Sequence, residues 1–193
     1  MTARTHDLFA FASLVTVSAY YPPDSLNLAT LFAALVGCVI GSLIPDTDQA
    51  SNRLWDLVPG GDYAGKVFRP LFLGHRNLSH SLLGTYLIYQ LLHWLLPRFL
   101  NSVFIDPQIV LSAVMVGFVS HLLADGLTEE GLPLFFPFKL KIGFPPISSW
   151  RITTGRWFEK LVVFPGLVLY LFFFARSNQD QLVRILKLVT SGV

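Results

Sequence analysis

LNLATLFAALVGCVIGSLI, residues Leu26 to Ile44, holds no charged side chain. Nineteen residues of α-helix rise about 28 Å, close to the thickness of a hydrocarbon core. Backbone groups in lipid must be bonded within their own segment, so this stretch is read as a spanning helix. Four weaker apolar runs flank it: Leu8 to Tyr21, Leu82 to Leu96, Ile109 to Leu123 and Leu161 to Ala175. Each reaches spanning length only when neighbouring polar residues are counted as helix, which places those residues at the edge of the hydrocarbon. Pro22, Pro23, Pro97 and Pro107 punctuate the ends, and Pro165 falls inside the last run. Composition agrees. The 193 residues are 53% hydrophobic and 13% charged, whereas soluble domains carry about a quarter charged residues. The expectation is an all-α, polytopic membrane helix bundle of about five transmembrane helices, forming one domain over residues 1–193. Gln181 to Val189 adds a C-terminal interfacial helix, with Leu182, Ile185, Leu186 and Val189 on one face and Arg184 and Lys187 opposite. The first run lacks a small-residue cleavage site and is expected to be retained.

A net charge of +2 and the absence of a Lys/Arg run give no footprint for nucleic acid. A single cysteine, Cys38, rules out an intramolecular disulfide and a cysteine-based zinc site. Basic residues set the orientation. Arg4, Arg53, Lys66, Arg69, Arg76, Lys139, Lys141, Arg151, Arg156 and Lys160 share one side if five helices alternate. Arg98, Arg176, Arg184 and Lys187 take the other. The positive-inside rule then predicts a multi-pass inner-membrane protein with its N-terminus and both long loops in the cytoplasm. Those loops, Asp46 to Gly74 and Thr128 to Phe158, are long enough to suggest function.

On that topology the remaining ionisable residues converge. His6 starts helix one, Asp46 and Asp48 end helix two, and His75 and His80 precede helix three. His121 and Asp125 end helix four, and Glu159 opens helix five. His121 and Asp125, four apart, project from one helical face. His75 and His80, five apart, would diverge on one helix, so His75 belongs to the loop, with Ser79 as a candidate N-cap. Each signal alone has an ordinary explanation. A lone Asp at a helix end is usually a cap, an interfacial His usually meets headgroups, and His-x-x-x-Asp also forms simple helix hydrogen bonds. Together they outweigh those explanations, because ionisable groups inside a membrane bundle are costly and commonly functional. Imidazole with carboxylate suits zinc, manganese or iron better than calcium. Seven candidates (His6, Asp46, Asp48, His75, His80, His121 and Asp125) exceed one tetrahedral shell, which leaves two metals, or one metal with outer partners, open. His93, thirteen residues beyond His80, falls at the opposite face and is set aside. Asp7, Asp24, Asp56, Asp62 and Asp106 read as solvated, and Trp55, Trp150 and Trp157 as interfacial anchors.

The ordered set Thr5-His6, Gly41 to Asp48 (GSLIPDTD), His75-Arg76 with Ser79-His80-Ser81, and His121 to Thr128 (HLLADGLT) with Gly131 resembles the YdjM-type family of inner-membrane, metal-dependent hydrolases, also described as LexA-binding. Gly155 and Glu159 fit that family's last motif, and the resemblance covers nearly the whole chain. Glu129-Glu130 departs from it, standing where a proline or aromatic residue is expected before the glycine. The resemblance implies a metal-dependent hydrolase, and the donor types make zinc or manganese the expected cofactor. The expected substrate is a phosphoester or a lipid-borne group at the cytoplasmic face, and membrane lipids are the expected surroundings. Arg76 is the candidate for holding an anionic group, and Glu159, or whichever of Asp46 and Asp48 is not a ligand, for the general base. The alternative is a non-enzymatic membrane protein whose structural metal pins the helices and which recruits a regulatory partner. An ion pathway would need polar residues spread across the bilayer, which the one-sided cluster opposes.

Overall fold

The computed structural model describes residues 1–48, 78–138 and 140–191. Six α-helices account for most of them: α1 (Ala3–Tyr20), α2 (Leu28–Leu43), α3 (Leu82–Phe99), α4 (Pro107–Gly126), α5 (Phe164–Ser177) and α6 (Gln179–Ser191). A 3-10 turn, Ile44–Asp48, extends α2, and a π-helical turn, Glu159–Val163, leads into α5. Pro165 explains the wide turn. It has no N–H to donate and its ring crowds the carbonyl four residues back. No strand occurs among the described residues, only two isolated bridges.

Three of these segments are long and apolar enough to cross a membrane: Leu28–Thr47, Pro107–Gly126 and Glu159–Ser177. Every run expected to be helical is helical, but α1 and α3, at 18 residues each, fall short as spans on composition. The reason is their polar content: Arg4, Thr5, His6 and Asp7 near the start of α1, and Gln90, His93 and Arg98 in α3.

Helix α4 is the hub, packed most extensively against α2, then α1, then α3. Glycines make the α2–α4 crossing. A Cβ on Gly41 would lie 2.1 Å from the Val114 carbonyl oxygen, and one on Gly117 would lie 2.0 Å from that of Cys38. Lipid removes most of the hydrophobic drive between helices, so association rests on such close backbone packing. Ala10, Ala34, Cys38 and Ala113 fill the seam below it, and Phe118, Leu122 and Leu132 fill the layer above. At the far end Asn27 caps α2 and Asp106 caps α4, and the Asp106 amide donates to Thr30 Oγ1. Asp106 is therefore a cap, not a free surface carboxylate. Helix α6 lies against α1, α2 and α5 with Ile185 buried and Arg184 and Lys187 exposed.

The connection from α4 to α5, which lacks any helical or strand periodicity, is folded. Leu132 and Ile142 exchange backbone hydrogen bonds of 2.7 and 2.8 Å, and the Ile152 amide donates to the Leu127 carbonyl. Gly131, at φ +63, turns the chain against Ile142. The Arg151 guanidinium donates to the carbonyls of Pro145 and Pro146. The Leu82 amide donates to Leu134 O, fastening this connection to the start of α3. Thus it packs across the ends of α3 and α4 that carry the polar cluster.

Candidate metal centre

The close crossing of α2 and α4 sets Asp46, five residues past Gly41, beside His121 and Asp125, four and eight past Gly117. Ser81 caps α3 by accepting from the Gly84 amide at 3.0 Å. The sequence had favoured Ser79 for that role. Ser79 instead lies with its hydroxyl 2.9 Å from His80 Nδ1. Gly84 permits this tight start, since a Cβ there would meet the Leu78 carbonyl. His80 is thereby fixed just outside the helix, facing the cluster.

Asp46, His80 and His121 bring one ligand atom each within 4.8 Å of one another, and Asp125 lies beside both histidines. His80 Nε2 lies 3.5 Å from Asp46 Oδ1 and 3.7 Å from Asp125 Oδ2. His121 Nε2 lies 3.7 Å from each of the same two oxygens. These separations exceed hydrogen-bond lengths. A tetrahedron with bonds of about 2.1 Å has edges of about 3.4 Å, and these four nitrogen-to-oxygen separations come close to that length. His121 Nδ1 is 2.6 Å from the Ser42 carbonyl oxygen, which can only accept, so Nδ1 carries the proton and Nε2 presents its lone pair. That Nε2 is buried and has no hydrogen-bond partner among the described residues. An unpartnered buried acceptor is costly, and a cation among these side chains would satisfy it. Burial works against protonating His80, yet Asp125 and Asp46 beside it hold its pKa above the ordinary value. The surroundings favour positive charge there. The residues present therefore fit a divalent metal.

His6 takes a different place. Its ring stacks on that of His121, with centroids 3.9 Å apart, and its Nε2 reaches Asp125 Oδ1 at 3.1 Å. The amino nitrogen of Met1 lies 2.7 Å from the same oxygen. Asp125 thus offers Oδ1 to the start of α1 and Oδ2 to the two-histidine pocket. Side chains of His80, His121 and Asp125 are buried, while that of Asp46 is 28% exposed and forms the open flank. His6, His121 and Asp125 form a second, overlapping donor group.

Glu159 sits apart from these pairs and is enclosed. Its Oε1 accepts from the Thr2 amide, the Thr2 hydroxyl and the Thr5 hydroxyl at 2.6–2.7 Å, and its Oε2 accepts from the Gly155 amide at 2.7 Å. Four donors on a wholly buried carboxylate describe a tie between α1 and the entry to α5. Gly155, at φ +73, allows the reversal that aims its amide inward. Thr2 was not singled out in the sequence, and Thr5 and Ser42 entered only as parts of the family motifs, with no role attached. The hydroxyls flanking His6 in the first turn of α1 were the available signal.

His75 and Arg76 lie outside the described residues, as do the side chain of Asp48 and the basic residues Arg53, Lys66, Arg69 and Lys139. His93 stacks on Tyr89 within α3.

Residues 1–189 match the sequence profile of the family described as YdjM inner membrane protein. Over 169 residues the chain is 30% identical to the protein named "Uncharacterized protein YvsG" of Bacillus subtilis (strain 168), covering 88% of this chain and 91% of that one. Over 147 residues it is 28% identical to inner membrane protein YdjM of Escherichia coli (strain K12), and equally to that of Shigella flexneri, covering 75% of this chain and 70% of theirs. No solved structure matches. With the match running across nearly its whole length, the chain belongs to the YdjM family of inner membrane proteins.

Proposed function

We propose that this protein is a membrane-bound, metal-dependent hydrolase acting on a phosphoester or lipid-linked substrate. The observation that carries the reading is the set of 3.5–3.7 Å separations of His80 Nε2 and His121 Nε2 from Asp46 Oδ1 and Asp125 Oδ2, with the lone pair of His121 Nε2 left without a hydrogen-bond partner among the described residues. A bound divalent ion supplies hydroxide near neutral pH, by lowering the pKa of its water to about 7, and polarises the bond to be cleaved. Zinc and manganese suit the donor set. Asp125 and His121 hold the rear of the site, and His6 orients Asp125 through Oδ1. Asp46, the exposed donor, lies where water or a substrate oxygen would enter. Glu159 keeps its tie between helices as a positioning residue, and with Asp46 a donor to the metal, proton acceptance falls to Asp48. Arg76, adjacent to His75 in sequence, is the candidate for an anionic substrate group. The site lies at the ends of membrane-capable helices, which favours a substrate presented by the bilayer.

In this reading the bundle crosses the membrane five times with its N-terminus and site in the cytoplasm. Reporter fusions after Asp62 and after Glu130 should both report cytoplasm, and fusions near Asn101 the opposite side. The second reading, a structural metal site in a protein that recruits a regulator, draws on one observation. Four protein donors already fill a tetrahedral zinc shell, and structural sites are closed. Metal-loaded protein assayed on a panel of phosphoesters and phospholipids distinguishes the two. Hydrolysis lost both on chelation and in Asp125→Ala supports the enzyme. A four-coordinate, water-free metal with no turnover supports the structural role.

A further inference from the structure

The residues leading into α5 form a second polar feature that the metal site does not use. A cleft of about 610 Å³ is lined by Trp150, Arg151, Arg156, Trp157 and Phe158, with Glu129, Ile152 and Thr153 completing it. Trp150 is 72% and Trp157 67% exposed, and Trp157 packs edge-on against Phe158. Arg156 is exposed, and no carboxylate among the described residues forms an ion pair with it. Glu129, the one acid in the lining, accepts from the Thr153 hydroxyl at 2.8 Å. Arg151 is held by the Pro145 and Pro146 carbonyls, so its charge is fixed in the wall. From Lys141 to Lys160 the chain carries four basic residues and a single acid, Glu159, which is buried. The outward charge of this segment is positive.

The cleft is also preformed. Gly155, one residue before Arg156, is pinned by its amide to Glu159, and the Arg156 amide donates to the Thr153 carbonyl. Phe144 and Ile147, on the same segment, are 70% and 51% exposed. Large exposed apolar side chains on a rigid, basic segment are out of place in bulk water. They suit the membrane boundary, where tryptophans settle at headgroup level and basic side chains meet anionic lipid. The membrane-capable stretch begins at Glu159, immediately after Phe158.

We propose that the cleft between Trp150, Arg156 and Trp157 binds the phosphodiester headgroup of an anionic phospholipid from the surrounding bilayer. The free guanidinium of Arg156 meets the phosphate, and the two indoles flank the glycerol backbone and first methylenes. This site is independent of the metal centre and stands whether or not that centre is catalytic.

The test uses the full chain in detergent, titrated with phosphatidylglycerol or with phosphatidylcholine of the same acyl chains and read by native mass spectrometry. Phosphatidylglycerol should bind and phosphatidylcholine should not. Arg156→Gln should weaken phosphatidylglycerol binding roughly tenfold, as loss of a charged hydrogen bond does. Arg184→Gln, on α6, should leave it unchanged. Equal binding of the two lipids, or an Arg156→Gln protein that binds like the parent, overturns the proposal. Displacement of the lipid by inorganic phosphate at matching concentration also overturns it, in favour of a soluble phosphate ligand. Should Arg156→Gln fail to fold, phosphatidylglycerol with a photoreactive headgroup decides on the unaltered protein. Labelling within residues 150–158 supports the site, and labelling confined elsewhere overturns it.

Discussion

Helices α4 and α5 look alike in sequence and behave in opposite ways. Both are apolar, both belong to membrane-capable segments, and both carry acid at the metal-site end, Asp125 on α4 and Glu159 at the entry to α5. Yet α4 buries eleven residues and α5 buries Phe174 alone. Side-chain size makes the difference. Along its inner face α4 presents Ala113, Gly117, Ser120 and Ala124, which let neighbouring backbones approach. In α5, Leu169, Phe172 and Phe173 are bulky and exposed. Within lipid, apolarity says that a helix crosses, and small residues say where it sits in the bundle.

The largest expected effect breaks that comparison at its glycines. Gly117→Ala places a methyl 2.0 Å from the Cys38 carbonyl oxygen, an overlap that should cost 3 kcal/mol or more by the usual range of about 1–3 for overpacking. Gly166→Ala on α5 meets nothing within 4 Å and should be neutral or raise stability by about 0.5–1 kcal/mol. Thermal midpoints of the two purified proteins check this. Equal midpoints would mean that the crossing is looser than described.

Next come the acids at the two helix ends. His121→Ala and Asp125→Ala should each lower metal affinity by more than about 100-fold, beyond the 10–100-fold typical of losing an outer partner. Glu159→Gln should fall inside that range, near tenfold, because it acts only through Thr2 and Thr5 on the position of His6. Metal content after dialysis against graded chelator reads both. A Glu159→Gln loss as complete as that of Asp125→Ala would make Glu159 a ligand.

These two acids also mark how far the sequence could be read. The helices were legible because apolar runs of the right length admit few other structures in lipid. Convergence of His6, Asp46, His80, His121 and Asp125 followed from counting helix ends, with no contact needed. Glu159 was counted with that cluster, whereas its partners are Thr2 and Thr5, 154–157 residues away, and the Gly155 amide. The connection from Thr128 to Phe158 read as unstructured because single bridges and carbonyl-bound arginine leave no periodic trace. Five spans were expected where three meet the requirement outright. In α1 the polar first turn that builds the site also lowers the apparent apolarity of the helix, whereas in α3 Gln90, His93 and Arg98 do so away from it. The crossing glycines, Gly41 and Gly117, were visible, Gly41 within a family motif, yet neither was read as a packing contact.

The smallest effect separates the site from the scaffold by pH. Both imidazoles must be neutral to bind metal, so lowering pH from about 7.5 to about 5 should release it as protons compete. Helical circular dichroism should stay constant across that step, because the glycine crossing contains no titrating group. Simultaneous loss of both signals would show that the metal holds the bundle together.

The crossing of α2 and α4 has a mechanical consequence. Backbone contact at Gly41 and Gly117 acts as a fulcrum, with arms of unequal length. Toward the His/Asp cluster the arm along α4 is four residues to His121 and eight to Asp125, about 6 and 12 Å, while α2 extends thirteen residues the other way, about 20 Å. Bilayer thinning or thickening that splays the far ends by 3 Å, as an order-of-magnitude displacement, would move the donors by only about 1–2 Å. The short arm shields the donor geometry from changes in bilayer thickness.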